Sequence, residues 1–143
     1  MGVGVRSAGR LNHGGWDLYA QPGTAAFAIS AGNVVQTGFI TGYGNVLLLE
    51  FQFGSRILYA LYAHLTRALI SPNGIKPVNV IEGEKIALTG MTGNAAGEPP
   101  HLHFEIWTKR HVGHFPDGRI SPGEVLGYFY DNMDNRMPFS NMG

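Results

Sequence analysis

The sequence alternates polar and apolar side chains over the stretch His101 to Thr108, which reads HLHFEIWT. Side chains two residues apart point to the same face of a β-strand, so this stretch predicts a strand with His101, His103 and Glu105 on one face. The intervening apolar side chains then point into the core. An apolar anchor beneath a polar face holds the polar groups rigidly, as a functional site on a strand requires.

Strand-length runs of the same kind recur along the rest of the chain, separated by turn signals such as Gly14-Gly15, Asn73-Gly74 and Asp117-Gly118. Glycine accounts for 21 of 143 residues, about twice its usual share of roughly 7%. The runs are rich in β-branched, aromatic or leucine residues, which favour strands. The sequence therefore predicts an all-β, mainly antiparallel fold of sandwich or meander type. Besides residues 101–108, the predicted strands are Ala26 to Ile29, Asn33 to Phe39, Val46 to Phe51, Arg56 to His64 and Lys85 to Thr89.

Three stretches interrupt this rhythm. Leu69 to Glu84 contains two prolines and an Asn-Gly pair, so we expect a surface loop near one end of the sheet. Ser121 to Asp131 has helical potential, with Pro122 acceptable in a first turn. The tail from Asn132 to Gly143 is polar and carries no predicted chemistry. A length of 143 residues predicts one domain.

Composition excludes several classes of function. Ten basic residues balance ten acidic ones, so the chain has no electrostatic footprint for nucleic acid or an anionic membrane. Its apolar stretches, such as Val46 to Leu49 and Ile57 to Leu61, are too short for membrane insertion. Because the chain has no cysteine, any metal must be bound by histidine and carboxylate. The first residues lack the pattern of a signal peptide, so we expect an excised domain or delivery by another route, such as a secretion system or a phage.

A histidine and a carboxylate lie four residues apart in HGGWD, residues 13–17. The two glycines disfavour a helix and permit a tight turn that points both side chains inward. With His103, His13 and Asp17 would supply three nitrogen and oxygen ligands for zinc, which leaves a fourth position for water as in catalytic sites. His64 ends an apolar strand and, with His101, would place two further imidazoles beside that water.

Together these segments resemble the LytM/lysostaphin-type zinc endopeptidases, which cleave peptide bonds in bacterial peptidoglycan. The resemblance covers about Gly9 to Trp107 and keeps the order of the family's motifs. The motifs in this chain are HGGWD (13–17), PGT (22–24), GNVV (32–35), GYGN (42–45), YAHL (62–65), EGEKI (82–86), GMTGN (90–94) and HLHFE (101–105).

The resemblance implies a LytM-like sheet with a groove over one Zn²⁺ per chain. It assigns the zinc ligands to His13, Asp17 and His103 and the catalytic positions to His64 and His101. Residues 1–143 would form a single peptidase domain, with the core motifs in residues 9–107 and a C-terminal extension over residues 108–143. The substrate would be the stem peptides or crosslinks of peptidoglycan, and the site of action the periplasm, the cell wall or the extracellular space.

Two departures from the family concern substrate contacts. No aromatic residue closely precedes His13, where some members place a tyrosine, and Glu98-Pro99-Pro100 replaces the usual small residues before the HLH motif.

The resemblance also leaves room for an antibacterial toxin with an immunity or inhibitor protein as partner. Two alternatives to an enzyme are a non-catalytic LytM-like domain that regulates another cell-wall hydrolase, and a lipoyl- or biotinyl-type carrier. The carrier lacks a suitably flanked modification lysine and leaves the histidines unexplained.

Several polar residues keep two interpretations. Glu105 either supports a metal ligand or is solvated or paired with a base. His111 and His114 have metal-pair spacing but are expected in an exposed loop. Tyr43 and Asn45 either line the groove or belong only to a hairpin turn.

Overall fold

The computed structural model describes residues 15–95, 97–110 and 118–126, and this part of the chain forms a mainly antiparallel β-sheet. The strands are β1 (Gly15–Tyr19), β2 (Ala25–Phe27), β3 (Gly32–Ile40), β4 (Gly44–Phe53), β5 (Arg56–Ala68), β6 (Val78–Val80), β7 (Lys85–Thr89), β8 (His101–Trp107) and β9 (Arg119–Ile120). A short 3₁₀ turn covers Gly93–Ala95, and one helical turn, α1, covers Pro122–Leu126.

The sheet follows the order β1-β8-β5-β4-β3-β6, with β7 pairing β2 and β5, and β9 pairing β8. The 13-residue strand β5 changes partner along its length. It pairs with β8 as far as Ala63 and with β7 from Leu65 onward. His64 lies at this junction, where the register with β4 also shifts. Irregularities of this kind bend a strand and redirect a side chain, and they are frequent beside active sites.

The two faces of the sheet bury different clusters. The larger core contains Leu102, Phe104 and Ile106 from β8, packed with side chains from β1, β4 and β5. The opposite face carries His101, His103 and Glu105, next to a smaller apolar cluster that includes Trp107. All seven residues of β8 are buried, so its alternation separates an apolar core from a buried polar site.

The predicted fold class is confirmed, and most predicted strands correspond to observed strands with shifted ends. The turn predicted over residues 13–17 is wrong for its described part, because Gly15–Tyr19 forms strand β1 and pairs with β8. The loop predicted over Leu69 to Glu84 contains the short edge strand β6, which pairs with β3. Tertiary pairing decided both cases, since neither run has a strong strand pattern of its own.

The structure describes part of the segment near the C-terminus for which a helix is predicted. The helical turn α1 lies within the predicted segment Ser121 to Asp131, whose residues 127–131 lie outside the described part of the chain. Among the described residues no helix has the length and apolar character needed to span a membrane.

Candidate active site

The pairing of β1 with β8 brings a carboxylate against two imidazoles. Asp17 is directly opposite His103 in the register, and Tyr19 is opposite His101. The Oδ1 atom of Asp17 lies 2.7 Å from Nδ1 of His103 and 3.6 Å from Nε2 of His101. All three side chains are buried, each with about 2% of its surface exposed. One carboxylate oxygen therefore faces one nitrogen of each ring.

His64 reaches the same place from β5. Its ring centroid lies 5.0 Å from that of His101 and 5.7 Å from that of His103. His64 has a φ of 59°, and it is the one residue other than glycine with positive φ in the described part of the chain. This left-handed conformation is unfavourable for a residue with a Cβ and persists only where surrounding contacts enforce it. Here the backbone N–H of His64 donates to the Tyr43 carbonyl at 2.8 Å.

Backbone carbonyls orient the imidazoles of His64 and His101. Nδ1 of His64 lies 2.7 Å from the Thr92 carbonyl oxygen, and Nδ1 of His101 lies 2.9 Å from the Pro99 carbonyl oxygen. A carbonyl oxygen only accepts hydrogen bonds, so each Nδ1 carries a proton and donates it. In the neutral form, both rings therefore have their lone pair on Nε2.

The environment affects the histidine pKa values in opposite directions. Burial, and then the neighbouring His103 and His101, lower the pKa of His64 to about 4. Burial also acts to lower the pKa of His103, but hydrogen bonds from its ring to Asp17 and Glu105 outweigh that effect and raise it to about 9. In the metal-free protein at neutral pH, His64 is therefore neutral and His103 is positively charged.

Glu105 is fully buried directly behind His103. Its Oε2 atom lies 2.6 Å from Nε2 of His103, and its Oε1 atom accepts a hydrogen bond from Nε1 of Trp107 at 2.7 Å. The Tyr43 hydroxyl donates to the same carboxylate at 3.0 Å, and Arg119 lies 3.4 Å from Oε2. Burial acts to raise the pKa of Glu105, but His103 first, and then Trp107 and Arg119, hold it below its ordinary value. The carboxylate is therefore a buried, ionised partner of His103, and the solvated interpretation is wrong.

Two of the three predicted metal ligands, Asp17 and His103, lie side by side. The third, His13, lies outside the described residues, as do His111 and His114. Within residues 15–95, 97–110 and 118–126 no three His, Asp or Glu side chains are arranged as a complete metal-binding group. The pair nevertheless has suitable chemistry, because a carboxylate oxygen and an imidazole nitrogen are both common zinc ligands.

Tyr43 and Asn45 both make internal contacts. Tyr43 is buried, and the hydrogen bond to Glu105 makes it part of the interior behind His103. The Asn45 amide donates to the carbonyls of Leu65 and Thr66 at 3.2 and 3.1 Å, which ties β4 to the end of β5. The structure therefore places the Tyr43 hydroxyl on Glu105, and that Tyr43 lines a groove stays a prediction.

Sequence reasoning missed four contributors to the site. The carbonyl groups of Thr92 and Pro99 have no local sequence signal, because any residue carries a carbonyl. Trp107 continues the alternation of β8, and this pattern could have placed it beside Glu105. Arg119 approaches through β9, a two-residue strand that only its pairing with β8 reveals.

Comparison with known proteins agrees with this architecture. The sequence model of Peptidase family M23 matches residues 11–114. The chain is 32% identical over 94 residues to a protein of Vibrio cholerae named peptidoglycan DD-endopeptidase ShyB, covering 66% of this chain and 20% of that protein. It is 33% identical over 103 residues to the Escherichia coli murein hydrolase activator EnvC, covering 72% of this chain and 22% of that protein. The chain thus spans about a fifth of the length of these relatives.

The fold is also similar to that of lysostaphin. The solution structure of lysostaphin matches with a TM-score of 0.63 and 27% identity, covering 80% of this chain and 43% of the lysostaphin chain. The similarity therefore extends over most of the sheet that carries Asp17, His64, His101 and His103.

Proposed function

Because the chain belongs to Peptidase family M23, we propose that it is a zinc-dependent endopeptidase that hydrolyses peptide bonds in the stem peptides or crosslinks of bacterial peptidoglycan. The observation that carries this proposal is a buried Asp17–His103 pair, 2.7 Å apart, with two imidazoles beside it. Family membership alone does not distinguish a hydrolase from an activator, whereas this cluster offers two of the three proposed zinc ligands and two imidazoles that can transfer protons.

In this proposal Asp17 and His103 hold the zinc, together with His13. When bound, zinc supplies Lewis acidity, which polarises a carbonyl and lowers the pKa of a coordinated water toward about 7. The two side chains already lie side by side and buried, and zinc would replace the proton that lies between Nδ1 of His103 and Oδ1 of Asp17.

In this proposal His64 accepts a proton and His101 donates a hydrogen bond. Each ring is oriented by a backbone carbonyl at Nδ1, so Nε2 is the atom that takes up or releases a proton. The lowered pKa keeps His64 unprotonated at neutral pH, which is the state required of a proton acceptor. His101, when protonated at both nitrogens, can donate from Nε2 to the negative charge that develops on the scissile carbonyl oxygen. We assign these two roles accordingly.

The test is digestion of purified peptidoglycan of several wall types, with mass spectrometry of the soluble products. We expect the wild type to release new peptides, whose masses identify the bond, and we expect His103→Ala to release none. Glu82→Gln is the control, because Glu82 is exposed and lies outside the cluster. If zinc-loaded wild type releases no peptide from any wall type, hydrolysis is refuted and regulation of another hydrolase, as in the name of EnvC, becomes the better proposal.

A further inference from the structure

The proposed function leaves the role of Glu105 unassigned, although four donors surround this fully buried carboxylate. His103 and Arg119 face Oε2, Trp107 faces Oε1, and the Tyr43 hydroxyl lies 3.0 and 3.2 Å from the two oxygens. Burying a carboxylate is costly unless such donors compensate it. A side chain needed only to fill this space would be apolar, so the carboxylate calls for a specific explanation.

The explanation lies in the two ends of the His103 ring. An ionised carboxylate accepts hydrogen bonds and cannot donate one, so the hydrogen between His103 and Glu105 resides on Nε2. Nδ1, at the other end of the ring, faces Oδ1 of Asp17 at 2.7 Å. A histidine binds a metal through a nitrogen that presents a lone pair, and the partner of the other nitrogen decides which nitrogen that is.

We propose that Glu105 is a positioning residue that keeps a proton on Nε2 of His103 and thereby reserves Nδ1, next to Asp17, for the metal. This inference rests on the proposed zinc site, because it assigns Nδ1 as the ligating atom of His103. Glu105 acts through His103 and touches neither the metal nor the substrate.

The surroundings of Glu105 keep it a hydrogen-bond acceptor and keep His103 the donor. The Trp107 indole is a donor only, and it requires an acceptor at Oε1. Gly15 leaves room for the side chains of Glu105 and His103, because a Cβ at this position would lie 2.8 Å from Cγ of Glu105 and 3.0 Å from Cε1 of His103. Strand β1 can therefore approach the His103–Glu105 pair only where it has no side chain.

Glu105→Gln is the decisive variant, since the amide is almost isosteric and introduces one donor. The amide oxygen takes the Oε1 position because the Trp107 indole can only donate, whereas Nε2 of His103 can accept once it has lost its proton. The amide nitrogen then takes the Oε2 position beside Nε2 of His103 and displaces Arg119, whose contact is longer and whose side chain is more exposed. Two donors cannot bond to each other, so His103 loses the proton on Nε2, and its remaining proton lies on Nδ1. It then occupies the atom reserved for the metal.

Two measurements test this. Nitrogen-15 spectra of the imidazoles at neutral pH should show Nε2 of His103 protonated in the wild type, with or without zinc, and unprotonated in metal-free Glu105→Gln. Zinc affinity, measured by competition with a chelator, should fall about 10–100-fold in Glu105→Gln, as is typical when the partner of a ligating histidine is altered. Glu82→Gln should leave both unchanged, and Glu105→Asp should keep Nε2 protonated because it remains an acceptor.

The proposal is overturned if Nε2 of His103 is unprotonated in the wild type, an observation that requires no variant to fold. It is also overturned if folded Glu105→Gln keeps Nε2 protonated and binds zinc like the wild type. If the wild type binds no zinc, the proposed function fails, while the wild-type spectrum still decides whether Glu105 sets the proton position.

Discussion

Replacement of Gly15 by alanine tests how closely β1 must approach the site. The added Cβ would lie 2.8 Å from Cγ of Glu105 and 2.9 Å from the carbonyl oxygen of Phe104, whereas ordinary contact begins at 3.4 Å. The Phe104 carbonyl belongs to the backbone of β8 and cannot turn aside. The strain must therefore be relieved by moving the Glu105 side chain or by separating β1 from β8.

Overpacking of this kind costs about 1–3 kcal/mol of folding free energy. For a domain of this size, each kcal/mol lowers the melting temperature by roughly 2–4 °C. We therefore expect Gly15→Ala to melt about 2–12 °C below the wild type. Because the displaced groups are Glu105 and His103, we also expect weaker zinc binding than in the wild type.

Thermal unfolding followed by circular dichroism and chelator competition for zinc measure these two effects. Gly38→Ala is the control: nothing lies within 4 Å of its added Cβ, although its φ of 146° makes alanine unfavourable there. It should lose stability and keep wild-type zinc affinity. If Gly15→Ala matches the wild type in both melting temperature and zinc affinity, the argument from close approach is wrong.

Three further predictions follow from the hydrogen bonds of the site and the core. His64→Ala and His101→Ala should each lower peptidoglycan turnover about 10²–10⁴-fold, with zinc content by elemental analysis unchanged; wild-type turnover in both would contradict their assigned roles. In metal-free protein, the His103 pKa is raised from 6.5 to about 9, so its stabilising contribution is complete below pH 6.5 and is lost as the pH rises through 9. Urea unfolding at a series of pH values should show this loss, and a free energy that stays constant across this range would refute it. Tyr62→Phe should cost about 1–3 kcal/mol in urea unfolding, because the buried Tyr62 hydroxyl bonds to the backbone of Phe27 and Ile29; an unchanged midpoint would show that these bonds contribute nothing.

The alternation of β8 shows what a local sequence pattern can predict. A strand has a period of two, so HLHFE alone predicts that His101, His103 and Glu105 share a face, and the structure confirms this. The same reasoning failed for Gly15–Tyr19. The glycine pair at positions 14 and 15 favours a turn locally, but Gly15 is required where β1 packs against Glu105.

The candidate site depends on contacts between residues far apart in sequence. Asp17 and His103 are separated by 86 positions and Tyr43 and Glu105 by 62. That Asp17 and His103 bind a metal and that His64 and His101 are catalytic stay predictions, as does the role of His13. The structure adds how the described side chains are oriented, which no spacing rule supplies.

The sequence by itself determined the fold class and the set of candidate residues, because strand periodicity, turn residues and motif order are all local properties of the chain. Only the tertiary structure decided which atoms meet. The left-handed backbone of His64, the carbonyl partners of two imidazoles and the carboxylate behind His103 all arise where strands distant in sequence pair. Hydrogen bonds act over about 3 Å, so their partners are determined by the packing of the sheet.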